Sequence, residues 1–470
     1  MRTRLLLLGA VLLAFGGSLV AGFHVDDYGI LSDPALKSAH GLPGMWGWRH
    51  TQPLTHFTFW LNYQAGGQEP LGYHLLNLVL HLGAVLLAYE CLRRLLPERA
   101  AFIAAAVFAV HPLQAEAVNY VAARGVVLAA LLCFTALLAW LEERHWMAVV
   151  CFAVALLASE QCAAFPILLP IVARRRLAPI ATMLVLSAAA VLRWALVSPG
   201  TWSHAGGYLL QQSAVTWRYL RLLVVPWGFS IDPDIGLPPA WLGVLAWLAI
   251  AGVMALATVV VKKRKGRPAD CAKWLIAALL LLLPASLLLP SRDLAADSRM
   301  YLPLFALAAA IGILLSGARL REVAIAVTVL LTVLSVWRTY VWTSDERLWR
   351  EAVRRAPQKA RPKVQLAKTV RAAEALELLA QARELEPHNS EVAAETGKVL
   401  LDEQQYDGAL TELSRALSLD PLNALALNNR GVAFAALSQV EAARADFESA
   451  LRLDPDFAEA RENLNRLSAR

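Results

Sequence analysis

Charge is scarce in this chain. Asp, Glu, Lys and Arg make up 17% of its 470 residues, while 58% are hydrophobic. Soluble proteins carry nearer a quarter charged residues, so this balance excludes a disordered or fibrous chain and points to a membrane. Cysteine is scarce too. Cys91, Cys133, Cys151, Cys162 and Cys271 all fall in or beside apolar segments. They show neither metal-finger spacing nor a secreted disulfide framework, which argues against thiol chemistry. The formal net charge of +7 reads as loop lysine and arginine that orient membrane spans, not as a nucleic-acid surface.

Long apolar runs are abundant, but only before residue 345. A spanning helix needs about 20 apolar residues. Runs near 4–22, 73–92, 124–141, 178–198, 240–261, 271–289, 299–316 and 322–342 qualify. A further run near 99–118 carries His111, Pro112 and Glu116, and two shorter runs cover 146–158 and 162–173. Basic clusters follow or precede these runs at Arg2 and Arg4, at Arg93, Arg94 and Arg99, at Arg174, Arg175 and Arg176, at Lys262 through Arg267, and at Arg319 and Arg321. With eleven crossings all of them share the cytoplasmic face. The expected topology has a cytoplasmic N-terminus and an extracytoplasmic chain after residue 342. The parity of the basic clusters requires both short runs to cross, although each reaches only about 20 Å. The opening run has no clean small-x-small cleavage motif and is read as an uncut anchor rather than a signal peptide. Two outer loops remain, 23–72 and 199–239, with an apolar stretch at 213–229 expected to lie at the interface.

Beyond residue 356 the pattern changes. Pro387, Pro421 and Pro455 recur every 34 residues, the tetratricopeptide period. Ala375, Ala409 and Ala443 recur in register, as do Leu379, Leu413 and Phe447, with Gly397 and Gly431 where paired helices approach. Lys363 stands in the glycine position of the first, degenerate unit. Such repeats bury one helical hairpin on the next; they either cap the chain end or present a groove for peptide. The expected organisation is therefore all-α: a polytopic membrane domain over 1–344, a linker at 345–356, and a repeat solenoid over 357–470.

Polar residues near the spans are costly and hence informative. Asp26 and Asp27 follow the first span directly; two adjacent carboxylates there suit a general base or a divalent cation, or simply begin a solvated loop. His74, Asn77 and His81 share one helix face, as a site or as a polar seam between helices. Within His111–Arg124, Glu116, Asn119, Tyr120 and Arg124 share a face. Arg124 suits a phosphate through its planar fork, or pairs internally with Glu116. Glu160 lies between the two short runs. Arg292, Asp293, Asp297 and Arg299 precede Tyr301-Leu302-Pro303, where the arginines suit a lipid phosphate or headgroups.

In their order these motifs resemble the multi-spanning GT-C glycosyltransferases. They are most similar to the transmembrane and tetratricopeptide-repeat-containing protein O-mannosyltransferases and their bacterial relatives. The resemblance rests on Asp26-Asp27, Gln52-Pro53-Leu54-Thr55 with Phe59, Asn62 and Tyr63, Gly72-Tyr73-His74 with Asn77 and His81, and above all the HPxxxEAVxxVxxR stretch from His111 to Arg124. Glu160 follows Ser159 where that family has lysine. Pro284-Ala285-Ser286 and Asp297-x-Arg299-x-Tyr301-Leu302-Pro303 match its late motif, with aspartate in place of the usual glutamate. Trp342, Trp349 and Pro357 then lead into the repeats.

The resemblance implies an inverting glycosyltransferase in a bacterial inner membrane. It would move a sugar from a polyprenyl-phosphate donor to a hydroxyl acceptor, a serine or threonine of an exported protein. It implies Asp27 as base with Asp26 in support, and Arg124, Arg292 and Arg299 at the phosphate, with His74, Glu116 and Glu160 nearby. Metal use varies among such relatives, so a magnesium or manganese ion on Asp26 and Asp27 stays open. The corner holding Asp27 is expected to be open and linked to basic groups. Transfer to an envelope glycolipid or glycan is one alternative, and a non-catalytic scaffold with peptide-binding repeats is another.

Overall fold

The computed structural model describes residues 1–38, 41–47, 50–173, 176–197, 205–283 and 293–468. Among the described residues the chain is helical with no strand. It forms two compact units: Met1–Phe229 with Ile235–Ser344, and Ser230–Asp234 with Asp345–Arg470.

In the first unit seven helices are long and apolar enough to cross a membrane: Arg2–Val20, Pro70–Leu95, Val121–Leu141, Leu177–Val197, Ala240–Lys263, Asp297–Leu315 and Ala318–Trp342. An eighth span is broken, Glu98–Val110 meeting Pro112–Asn119 at 47°. Pro112 causes the break, because it has no N–H to donate and its ring clashes with the preceding turn. The freed groups find side chains instead: the Ser335 hydroxyl donates to the Val110 carbonyl at 2.7 Å, and Leu113 N–H to His111 Nδ1 at 3.2 Å. The short runs form helices His145–Ala158 and Glu160–Val172, and Arg267–Leu283 carries the run near 271–289 as far as the described residues reach. Each of the eleven expected segments thus contains helix, while length and composition by themselves support seven or eight crossings.

Burial separates the helices that face lipid from those that form the core. Of the span Asp297–Leu315, 78% is buried; of Leu177–Val197 and Ala240–Lys263, only 11%. In water such exposed leucine and valine would be a liability, whereas against lipid it costs nothing. The core is built by backbone approach. A Cβ on Gly312 would fall 2.4 Å from the Ala100 carbonyl oxygen, and one on Gly125 2.8 Å from that of Ala158, so both positions require glycine. Aromatic rings pack within the same unit, Phe108 against Tyr301 at 5.4 Å and Phe134 against Phe305 at 4.7 Å. The expected interfacial stretch belongs to a longer helix, Ala205–Val224, whose Gln212, Ser213 and Thr216 are buried.

The second unit corrects one expectation. Residues 345–356 are not a linker: Asp345–Arg355 is a helix that buries Leu348, Trp349 and Ala352. The hairpins follow, from Ala360–Ala367 with Ala372–Leu385, through Ser390–Asp402 with Tyr406–Leu419, to Ala424–Ala436 with Val440–Leu453, and a final helix Ala458–Ser468. Asn389 and Asn423 cap their helices through side-chain oxygens, satisfying otherwise orphaned N–H groups. A Cβ at Gly397 would come within 2.6 Å of Leu413, and one at Gly431 within 2.6 Å of Phe447. Lys363, in the corresponding place of the first unit, is buried and donates to Gln381 at 3.2 Å. Within this unit Lys359 also pairs with Asp232.

Candidate active site

The first span ends in a short 3-10 segment, Gly16–Val20, after which the chain enters helix Asp26–Ser32. Between them Val25 has φ 37° and ψ −100°. A β-branched side chain disfavours that region strongly, and such strain concentrates at functional positions. The next two residues are the carboxylates. Asp27 is 1% exposed; its Oδ2 accepts the His24 N–H at 2.9 Å and its Oδ1 the Ala122 N–H at 2.8 Å. Burial pushes its carboxyl up to about 7, against the lowering effect of those donors and of His24. Asp26 is exposed, and its backbone N–H donates to the Tyr120 hydroxyl at 3.0 Å. The expected open corner is therefore closed over Asp27 in this state, and only Asp26 is accessible.

The neighbouring polar residues hold this corner together. His24 Nε2 lies 2.7 Å from the Trp342 carbonyl oxygen. His74 Nε2 lies 3.0 Å from the Gly22 carbonyl oxygen, which fixes the strand of backbone leading into Val25. Asn77 donates to the Tyr120 carbonyl at 3.1 Å, and His81 contacts the Tyr301 hydroxyl at 2.6 Å and the Ala109 carbonyl at 3.1 Å. The His74, Asn77 and His81 face is thus a polar seam between helices, with His74 adjoining the carboxylates.

Arg124 is placed differently from the expectation. It is fully buried and donates to Asn77 Oδ1 at 2.7 Å, Thr58 Oγ1 at 3.2 Å and the Tyr73 carbonyl at 3.1 Å. Its guanidinium lies 4.5 Å from the centre of the Phe59 ring. It ties three helices together and presents no face to a phosphate. Nor does it pair with Glu116, whose carboxylate accepts the N–H groups of Asp297 and Ser298 at 2.9 and 3.3 Å and the Ser298 hydroxyl at 2.8 Å. Glu116 so satisfies the start of the short helix Asp297–Met300. Arg299 turns back onto the carbonyls of Asp293 and Leu294 at 2.6 and 2.9 Å. Arg292 and the Pro284-Ala285-Ser286 motif lie outside the described residues.

Glu160 is buried and accepts from Gln52 at 3.3 and 3.4 Å. It lines a cavity of about 230 Å³ together with Thr51, Leu156, Leu186, Ala190 and Arg193. Arg193 donates to the carbonyls of His50 and Thr51 at 2.7 and 2.6 Å. Motif spacing does not single it out, although a lone arginine in an apolar span is itself a signal. Nor does spacing single out Arg218, which pairs with Asp297. Among the described residues no three His, Cys, Asp or Glu side chains are grouped to hold a metal. With both Asp27 oxygens engaged by N–H donors and a single exposed partner in Asp26, the donor set does not fit a dedicated divalent-cation cage.

A tetratricopeptide-repeat family model matches residues 394–457. The protein O-mannosyl-transferase Tmtc1 of Drosophila melanogaster is 40% identical over 148 residues, 28% of this chain and 16% of that protein. The human TMTC1 is 35% identical over 154 residues, 29% of this chain and 17% of that protein. The mouse TMTC3 is 32% identical over 153 residues, 30% and 17% respectively. Over these segments the chain is similar to the TMTC protein O-mannosyl-transferases. The matched segment spans less than a fifth of those TMTC relatives' own length. Among solved structures, the first tetratricopeptide domain of Spaghetti (RPAP3) bound to an HSP90 peptide is 24% identical, with a TM-score of 0.23, and covers 24% of this chain and 92% of that one.

Proposed function

We propose that this TMTC-like chain is a GT-C type inverting glycosyltransferase that moves a sugar from a polyprenyl phosphate to a serine or threonine hydroxyl of an exported protein. The observation that carries the reading is the Asp26–Asp27 pair: one exposed carboxylate, one buried carboxylate that titrates near neutrality, and a strained residue immediately before them. In the reaction the hydroxyl oxygen forms a bond to the anomeric carbon from the face opposite the phosphate. The carbon–oxygen bond to phosphate breaks, and the phosphate departs with the electron pair. The hydroxyl proton passes to Asp27, whose raised pKa suits a base working near neutral pH, while Asp26 orients the acceptor. This requires the corner to open as the acceptor docks, and the strain at Val25 favours such movement.

Arg124 and Arg299 give both terminal nitrogens to internal acceptors, whereas Arg193 gives only Nη2, to the His50 and Thr51 carbonyls, so we assign the donor's phosphate to the rest of the Arg193 fork on the wall of the Glu160 cavity. The leucines and alanines there suit an isoprenoid, and a guanidinium offsets the charge that develops on the leaving group. The repeats hold the acceptor peptide. We propose a bacterial inner membrane for the membrane domain, with the N-terminus cytoplasmic and the repeats outside.

The test is a donor screen: purified full-length protein in nanodiscs, several polyprenyl-phosphate monosaccharides and a Ser/Thr-rich peptide. Product from one donor, lost in Asp27→Asn, is the expected result; product that survives Asp27→Asn rules out the base. Transfer to an envelope glycan becomes the better reading if deleting residues 357–470 leaves transfer to protein unchanged. Orientation is checked with Glu391→Cys, which labels from outside intact inner membranes if the repeats are extracytoplasmic.

A further inference from the structure

A larger cavity lies at the other end of the membrane unit. Helices Glu98–Val110 and Tyr301–Leu315 run side by side, joined at Gly312 and Ala100; beyond them Glu116 contacts Asp297. The span Asp297–Leu315 has 19 residues, about 28 Å of helix, close to the hydrocarbon thickness of a bilayer. At the Ser316 end is a cavity of about 320 Å³, at the membrane face opposite the carboxylate pair.

Its charge is unbalanced. Arg99, Arg267 and Lys273 line it, with Asp270 the sole acid in the lining. Asp270 is taken by Lys273 at 3.2 Å. Nη2 of Arg99 is buried without a hydrogen-bond partner; Arg267 is exposed and makes no hydrogen bond or ion pair among the described residues. A buried charged donor without an acceptor is costly, so the lining calls for an anion. The rest of the wall is apolar: Leu95, Ile171, Val172 and Ile313, beside Trp274. A free phosphate would leave that wall unused. Basic pockets between membrane helices characteristically hold acidic lipid headgroups.

We infer that this cavity binds an anionic phospholipid of the leaflet opposite Asp26 and Asp27, its phosphate on Arg99 and Arg267 and its acyl chains along Leu95, Ile171, Val172 and Ile313. The planar guanidinium forks match phosphate oxygens in pairs, and Lys273, held by Asp270, stays at the rim.

The experiment uses the full-length protein in nanodiscs of phosphatidylcholine, with or without phosphatidylglycerol, followed by native mass spectrometry of the released protein. The wild type should retain phosphatidylglycerol in preference to phosphatidylcholine. Arg99→Gln and Arg267→Gln should each lower retention roughly fivefold, and Arg99→Lys with Arg267→Lys should restore much of it. Ile171→Trp, which fills the cavity and removes no charge, should also release the lipid, so the inference stays testable if a glutamine variant fails to fold. Equal retention of both lipids by the wild type, or undiminished retention in the glutamine and tryptophan variants, overturns the inference. So does complete displacement of the lipid by inorganic phosphate, which would make this a site for the free ion.

Discussion

In the membrane unit, Asp27, His74, Asn77 and Glu116 are buried against backbone that interrupted helices leave exposed. In the repeat unit, helices run unbroken between their caps, and contact depends on Gly397 and Gly431 admitting Leu413 and Phe447. The difference follows from the solvent. A soluble hairpin can end in water, which satisfies its termini, whereas a helix broken within a bilayer must find side chains for its freed N–H and C=O groups. Polar residues in the first unit are therefore largely committed in advance, and the exposed Asp26 carboxylate, the part of the Arg193 fork beyond Nη2 and the unpartnered Arg99 Nη2 are where ligands are expected.

The sharpest way to break this contrast is to remove a committed group that is also the proposed base. Asp27→Asn should reduce transfer by roughly 10²-fold or more in the donor assay, while the variant still assembles, because asparagine keeps an acceptor for Ala122. The pH dependence sharpens it. Burial raises the Asp27 carboxyl from 3.8 to about 7, so folding favours the protonated form. Its contribution to stability is complete below the ordinary carboxylate range and is lost as pH rises through about 7. The proposed transfer needs the ionised form and should climb over that same interval; both trends should vanish in Asp27→Asn.

Arg124→Gln comes next. It strands acceptors of Asn77, Thr58 and Tyr73, at about 1–3 kcal/mol for each one left unpaired. A falling melting temperature in detergent with an unchanged donor KM is expected. A raised donor KM without loss of stability would restore the phosphate role. In the repeats, Gly431→Leu overpacks against Phe447 and should cost about 1–3 kcal/mol, read as lost helicity of the C-terminal hairpins, with transfer to a small hydroxyl acceptor retained. The smallest effect is at Arg466→Ala. Its pair with Glu462 is 71% and 62% exposed, and such pairs are worth about 0–1 kcal/mol, a shift at the limit of a thermal melt.

The repeats were legible because their information is periodic: the prolines at 34-residue spacing and the glycines at close approach carry register and packing together. The spans were legible from apolar length. The linker was misread because Asp345–Arg355 is strongly charged, and only the spacing of Leu348, Trp349 and Ala352 betrays a buried face. The carboxylate pair could be located beside the first span, but not its closure, since the donors to Asp27 come from both His24 and the distant Ala122. Arg124 could be recognised as costly but not assigned, because its partners Thr58, Tyr73 and Asn77 come from 47 to 66 positions away and no local spacing encodes them. Arg193 carried its own signal, a single cation in an otherwise apolar helix.

The contact between Gly312 and the Ala100 carbonyl has a mechanical consequence. Backbones pressed together without intervening side chains act as a fulcrum. On one side the two rods carry Arg99 and Ile313; on the other they continue toward Glu116 and Asp297. Prising them apart at one leaflet is therefore levered across the bilayer, so a wedge as small as one hydrocarbon tail has a stiff route to the acid that clasps the far loop.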